Sequence, residues 1–263
     1  PECHGEQTDV HESADWYQSS YWIIAGSSLP TTRTPDSHFM SEAKYNGTKV
    51  VIVSPDYYDH VKFADTWVQL NPGSDSAYGV AMSHVVLKEF FVNKKTEYFE
   101  DYVKRYTNLP FLVTLKKHGN YYVPDKFLRA ADIKIYESQE LAEWKLVLLD
   151  SKTKDFKLVK GSIGFRWDST PNNWNLKMDD VVTGKPVDPV LTLLDIDDKQ
   201  VSVAFSDFSD TYDIIPTGRE GKSSLVKRDV PVKVVKGKEG DVIVTTAFDL
   251  LAAHLGVSRG LEG

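Results

Sequence analysis

Two apolar runs joined by a helical pattern constrain the fold of this chain more than any other feature. Residues 21–25 are apolar at every position, and residues 49–53 form a second run that is rich in β-branched side chains. Unbroken apolar runs of this length are typical of buried strands in parallel sheets. Between the runs, Thr34 as a cap and Pro35 in the first helical position predict a helix that ends near Gly47. The sequence therefore predicts a strand–helix–strand unit.

The pattern continues with another strand and another helix. Residues 66–70 predict a third, brief strand, and a helix is predicted from Asp75 to about Glu89. Because the connections are short, we expect three parallel strands joined by right-handed crossovers. A further helix is predicted over 96–106, and after it the pattern changes to short β runs separated by polar stretches. These runs lie at 111–115, 121–123, 145–149, 201–205, 230–235 and 241–245.

Composition and pattern divide the chain into three parts. Residues 1–20 form an acidic N-terminal segment, which has five carboxylates and no Lys or Arg. Residues 21–110 are expected to form a parallel-sheet nucleotide-binding (Rossmann-like) segment. Residues 111–263 are expected to form a β-rich, irregular α+β extension that continues beyond the end of the chain. The predicted fold class is therefore α/β.

Charge and composition exclude several classes of protein. The net charge of −7 argues against a general nucleic-acid binder, which would need a basic surface. No apolar run approaches the ~18–20 residues that a membrane helix needs. Cys3 is the only cysteine, so the chain has no intrachain disulfide and too few ligands for a zinc site.

Small and acidic residues follow each of the three predicted strands. In parallel α/β sheets, ligands bind beyond the carboxyl ends of the strands. We therefore expect a polar ligand to approach this edge. The candidate binding residues are Gly26, Ser27, Ser28, Asp56, Gly73, Ser74 and Asp75.

The sequence leaves two interpretations of these residues open. The dinucleotide fingerprint G-x-G-x-x-G is absent because the first turn contains only Gly26, so a packing role for this turn is as well supported as nucleotide binding. Asp56 could accept hydrogen bonds from ribose hydroxyls. Asp75 could accept the adjacent N1–H and N2–H₂ donors of guanine, which no other standard base presents. Spacing alone favours the simpler interpretation that Asp75 caps its helix.

Seven stretches, in the same order along the chain, resemble a known family. They lie at 5–10, 12–17, 33–36, 54–57, 72–75, 128–132 and 161–167. On these stretches the chain resembles the catalytic (alpha) subunits of the membrane-bound respiratory nitrate reductases. Those subunits are molybdenum–bis(molybdopterin guanine dinucleotide) oxidoreductases. The stretches 5–17 and 161–167 are specific to this type of subunit.

The resemblance implies an activity, cofactors and partners. Members of the family reduce nitrate to nitrite by oxygen-atom transfer at molybdenum, with electrons that arrive from quinol through iron–sulfur clusters. The implied cofactors are Mo-bis(molybdopterin guanine dinucleotide) and a 4Fe-4S cluster. The implied partners are an iron–sulfur beta subunit and a haem-containing gamma subunit in the membrane. These partners would hold the chain peripherally at the cytoplasmic side of a prokaryotic cell membrane, without a span of its own.

The resemblance also assigns roles to the strand ends. They would cradle the guanine dinucleotide part of one cofactor molecule. In this assignment the phosphate and ribose are approached by Gly26, Ser27 and Ser28, the ribose by Asp56, and the guanine by Gly73, Ser74 and Asp75.

The chain departs from the family pattern in ways that affect these expectations. Ser28 stands where Asn is usual, His4 where Trp is usual, and His11 where Pro is usual. In the family, the ligands of the iron–sulfur cluster and the aspartate ligand of molybdenum precede the equivalent of Pro1, so the resemblance implies no catalytic and no metal-ligating residue in this chain. We therefore expect an internal part of a longer subunit, inactive alone. The alternatives are a non-catalytic nucleotide-binding α/β module and a structural interaction domain.

Overall fold

The computed structural model describes residues 12–159, 178–194, 196, 199–205 and 226–257. The chain divides into two compact units, Pro1–Gly79 and Val80–Gly263, which are described separately. The stretches 5–10 and 161–167, on which part of the family resemblance rests, lie outside the described residues, as do Cys3, His4 and His11.

The first unit contains a three-stranded parallel sheet. Its strands are β1 (Tyr21–Ala25), β2 (Lys49–Ser54) and β3 (Thr66–Gln69), in the order β1-β2-β3. Both pairs of neighbours are parallel. The prediction of three parallel strands is therefore confirmed, with boundaries within one residue of those expected.

The connection between β1 and β2 contains three helical pieces instead of one helix. They are α1 (Leu29–Thr32), a 3₁₀ turn (Thr34–Asp36) and α2 (Ser37–Tyr45). The prediction that Thr34 caps a continuous helix is wrong, because its hydroxyl donates to the carbonyl of Pro30 at 3.2 Å. Helix α2 therefore begins at Ser37, two residues later than the sequence suggests.

One face of the sheet packs against these helices. The apolar cluster beneath it comprises Ile24, Leu29, Met40, Val50, Ile52 and Val61. Alternate residues of a strand point to opposite faces. On the other face of β1, Tyr21 is 58% exposed and Ile23 is 46% exposed. The prediction that β1 is buried is therefore wrong for this face, because the apolar cluster that includes α1 and α2 contains Trp22 and Ile24 of β1, on the opposite face.

A buried histidine in the first unit has an unsatisfied polar atom. The ring of His60 is 5% exposed, and its Nδ1 has no hydrogen-bond partner among the described residues. A buried polar group without a partner costs about 1–3 kcal/mol. We expect His60→Leu to raise the free energy of unfolding by about 1–2 kcal/mol, measured by chemical denaturation. Lower stability than the parent would mean that Nδ1 has a partner or that the ring shape is essential.

Helices precede the sheet of the second unit. Helix α3 (Asp75–Val86) spans the division at residue 79 and is followed by a π-helical stretch, Leu87–Asn93. The sequence predicts an α-helix to about Glu89, but the α-helical hydrogen bonding ends at Val86, three residues earlier. Helix α4 (Glu97–Tyr106) begins after Thr96, as predicted. No helix in the described part of the chain is long and apolar enough to cross a membrane.

A curled, mixed sheet of six strands forms the centre of the second unit. Its order is β10-β11-β4-β5-β8-β9, and β5 and β8 are its only parallel neighbours among the described strands. A separate hairpin pairs β6 with β7. The bounds are β4 Leu112–His118, β5 Tyr121–Phe127, β6 Val147–Leu149, β7 Phe156–Leu158, β8 Gln200–Phe205, β9 Val226–Pro231, β10 Lys233–Lys236 and β11 Asp241–Thr246. The single β run predicted at 230–235 belongs to two strands, because β9 ends at Pro231 and β10 begins at Lys233. The chain is thus a mixed α/β protein.

Helix α5 (Ala247–His254) follows β11 and is held by a buried polar network. The hydroxyl of Thr246 accepts from the backbone N–H of Asp249 at 2.9 Å and donates to the carbonyl of Leu191 at 2.7 Å. The carboxylate of Asp249, itself fully buried, accepts from the hydroxyl of Thr192 at 2.7 Å and from the N–H of Leu193 at 2.9 Å. The network therefore joins the start of α5 to residues 191–193.

The hairpin turn of the second unit gives the fold a dependence on pH. Burial alone would raise the pKa of Asp150, but N–H bonds from Thr153 and Asp188, both 2.9 Å, outweigh it and hold that pKa below 3.8. A lowered folded-state pKa stabilises the fold above the unfolded-state pKa, and this stability is lost as pH falls through the folded-state pKa. We expect the free energy of unfolding to decrease below about pH 4, and to decrease less in Asp150→Asn. Denaturant titrations of both proteins would contradict this if their pH profiles coincided.

Candidate functional site

The register of the parallel sheet brings the carboxyl ends of its strands to one edge. Ala25 of β1 pairs with Val53 of β2, and Ser54 pairs with Gln69 of β3. Directly beyond the strands, the N–H of Gly26 donates to the carbonyl of Val53 at 3.1 Å. The turn after β1 therefore starts beside the end of β2, as the sequence predicts for a parallel sheet.

The turn after β1 is built around a glycine and two serines. Gly26 has a φ of +66°, in the left-handed region that favours glycine. Ser28 precedes α1, and its carbonyl accepts the N–H groups of Thr31 and Thr32 at 3.0 and 2.8 Å. Its hydroxyl donates to the Thr31 hydroxyl at 3.2 Å. The half-buried Ser27 hydroxyl has no hydrogen bond to any described residue, so it is available to a ligand.

The end of β2 presents an unpaired carboxylate. The Ser54 hydroxyl donates to the backbone carbonyl of Asp56 at 2.9 Å, which fixes the turn. The indole Nε1 of Trp67 on β3 donates to the same Ser54 hydroxyl and to its carbonyl, both at 3.2 Å. The carboxylate of Asp56 is exposed and has no partner within the described ranges. Sequence reasoning missed the contribution of Trp67, since nothing in its strand pattern distinguishes it from a packing residue.

The end of β3 presents a second unpaired carboxylate. Gly73 has a φ of +86°, so the turn before α3 requires a left-handed residue. The carbonyl of Ser74 accepts the N–H of Tyr78 at 3.1 Å, which places Ser74 in the capping position. Asp75 is then the first helical residue, and the capping interpretation of its side chain is corrected. Its exposed carboxylate forms no hydrogen bond with the described part of the chain.

The chemistry of this edge favours a ligand that donates hydrogen bonds near β2 and β3. Two unpaired carboxylates are pure acceptors, so they suit ribose hydroxyls or the N–H groups of a base and disfavour a phosphate. The β1 turn, with the Ser27 hydroxyl and no carboxylate, is the part of the edge that a phosphate could approach. In the described residues, no group of three or more His, Cys, Asp and Glu side chains could hold a metal ion.

Comparison with known proteins shows what the chain is similar to. The molybdopterin oxidoreductase family matches residues 4–226. The chain is 42% identical over 261 residues to the nitrate reductase alpha chain of Bacillus subtilis, covering 99% of this chain and 20% of that protein. It is 44% identical over 265 residues to the nitrate reductase alpha subunit of Mycobacterium tuberculosis, covering 100% and 20%. For the respiratory nitrate reductase 1 alpha chain of Escherichia coli, the identity is 42% over 264 residues, covering 100% and 21%. The chain thus spans about a fifth of these relatives.

Proposed function

Because the chain belongs to the molybdopterin oxidoreductase family, we propose that it is part of the catalytic alpha subunit of a respiratory nitrate reductase, which reduces nitrate to nitrite. The observation that carries this proposal is the identity of 42–44% to nitrate reductase alpha chains over essentially all of the chain. We propose quinol as the source of electrons, by resemblance to the family.

The strand-end edge of the first unit is proposed to hold the guanine dinucleotide part of one cofactor molecule. The residues present fit such a group: left-handed glycines allow tight turns, a free hydroxyl lies after β1, and two unpaired carboxylates lie after β2 and β3. When bound, the molybdenum of the cofactor supplies the oxygen-atom transfer chemistry, and the protein supplies binding and orientation. In the proposed assignment, the phosphate and ribose contact Gly26, Ser27 and Ser28. The ribose also contacts Asp56, and the guanine contacts Gly73, Ser74 and Asp75.

In this assignment, the Asp75 carboxylate makes the site specific for guanine. A carboxylate has two oxygens that can accept the parallel N1–H and N2–H₂ donors of guanine. Cytosine and adenine present an acceptor next to a donor at the corresponding edge, so one carboxylate oxygen would face a lone pair. The unpaired state of the Asp75 carboxylate supports this role, since no hydrogen bond to a described residue has to break first.

The wider assembly is proposed from the family resemblance. It comprises a 4Fe-4S cluster in the complete subunit, an iron–sulfur beta subunit, and a haem-containing gamma subunit that spans the membrane. The alpha subunit would lie at the cytoplasmic side of the membrane, held there by these partners.

Nitrite formation by the purified, intact protein tests the proposed function. The protein is isolated from cells grown with molybdate or with tungstate, and reduced viologen is supplied as the electron donor. We expect nitrite from the molybdate-grown preparation and essentially none from the tungstate-grown one. If the molybdate-grown preparation retained guanine nucleotide but contained no molybdenum and formed no nitrite, the result would instead indicate a non-catalytic nucleotide-binding module.

A further inference from the structure

Two lysines with left-handed backbone conformations line the same cavity of the second unit. Within the described ranges, three residues other than glycine have a positive φ, namely Lys95 (45°), Leu141 (53°) and Lys154 (58°). Lys95 follows the π-helical stretch, and Lys154 lies in the turn between β6 and β7. Glycine adopts this conformation at no steric cost, whereas a lysine is strained. The two lysines line one cavity although they are far apart in sequence.

The cavity has an apolar wall and a defined size. Its volume is about 320 Å³. At ~30 Å³ for each water-sized group, it would hold roughly ten non-hydrogen atoms. Its apolar lining includes Phe91, Val92, Leu191, Leu194 and Ile196. A purely hydrated ion would leave this wall in contact with water, so the cavity suits a ligand with an apolar body.

Among the described side chains that line the cavity, positive charges outnumber negative ones. A third lining lysine, Lys104, forms ion pairs with Glu100 at 2.8 Å and with Asp188 at 3.0 Å, so its charge is compensated. Lys95 and Lys154 form no ion pair or side-chain hydrogen bond with any described residue. Two lysines without a described ion-pair partner therefore line the same cavity as the apolar wall, and an anionic group would compensate part of their charge.

We propose that this cavity binds a small carboxylic acid whose carboxylate contacts Lys95 and Lys154 and whose apolar body, of about seven carbon atoms, packs against the wall. The strained lysines are then explained, since a glycine at either position would relieve the backbone but remove the anion-binding group. The cavity belongs to the second unit, so the proposed ligand is independent of the dinucleotide edge of the first unit.

Titration calorimetry of octanoate into the purified, intact protein tests this proposal. We expect saturable binding that weakens as salt is added, because ammonium–carboxylate attraction is screened. In the Lys95→Gln/Lys154→Gln variant, affinity for octanoate should fall about tenfold or more. The matched control is Lys94→Gln/Lys152→Gln, which removes the two neighbouring lysines that do not line the cavity and should leave the affinity unchanged.

A second pair of variants separates binding from folding. Lys95→Gly and Lys154→Gly relieve the left-handed backbone, so they should keep or raise the melting temperature while they weaken octanoate binding. Three outcomes would overturn the proposal: no binding of octanoate to the parent protein, equal binding by the Gln variant and its control, or binding of octan-1-ol as tight as that of octanoate.

Discussion

Asp75→Asn in the intact protein is expected to weaken retention of the guanine dinucleotide by roughly ten- to a hundredfold. One of the two acceptor oxygens becomes an NH₂ donor that faces a donor of the base, and a charge-assisted pair is lost. Hydrogen bonds to charged groups are worth ~1.5–3 kcal/mol, and ~1.4 kcal/mol corresponds to tenfold in affinity. The measurement is the molybdenum and nucleotide content of the purified protein.

The control for this variant is another exposed carboxylate of the same unit. Asp59→Asn, in the connection between β2 and β3, should leave the cofactor content unchanged. The melting temperature of the cofactor-free protein should hardly change in Asp75→Asn, because the Asp75 side chain forms no hydrogen bond with the described residues. An unchanged cofactor content with a lowered melting temperature would mean that Asp75 only stabilises the N-terminus of α3 and does not bind the cofactor.

Asp249→Ala should destabilise the second unit by about 3–4 kcal/mol, since it removes a buried acceptor of two hydrogen bonds and leaves their donors unsatisfied. The donors are the Thr192 hydroxyl and the Leu193 N–H, at 2.7 and 2.9 Å. For a unit of this size, the melting temperature should fall by about 6–15 °C. Differential scanning calorimetry measures this directly.

Two further variants calibrate the effect of Asp249. Asp249→Asn keeps the shape and one acceptor, so it should cost about half as much. Asp101→Ala removes the exposed partner of Arg105 on α4, a pair that is worth about 0.3–0.5 kcal/mol, and should leave the melting temperature nearly unchanged. If Asp249→Ala were as mild as Asp101→Ala, the buried network would not hold α5.

Local patterns predicted the elements of the first unit well. The apolar runs at 21–25 and 49–53 are strands β1 and β2, and their short connections correctly indicated parallel pairing. The same runs misled about burial, because a continuous apolar run does not reveal that Tyr21 and Ile23 lie on an exposed face. Burial depends on what packs against each face, which the run itself does not encode.

Features that depend on distant residues could not be predicted from the sequence. Asp249 accepts hydrogen bonds from Leu193 and Thr192, which precede it by 56 and 57 positions in the chain. Likewise, Lys95 and Lys154 line one cavity only after the chain folds. The left-handed conformations of these lysines also have no local signal, since Gly or Asn normally marks such positions. In contrast, Gly26 and Gly73 could be anticipated because glycine itself indicates a left-handed turn.

The nucleotide released by acid from the purified, intact protein tests the central claim most directly. If the strand-end edge holds a molybdopterin guanine dinucleotide and Asp75 reads its base, denaturation should release GMP together with molybdenum, and both should decrease in Asp75→Asn. Release of CMP, or of molybdopterin without any nucleotide, would contradict the account.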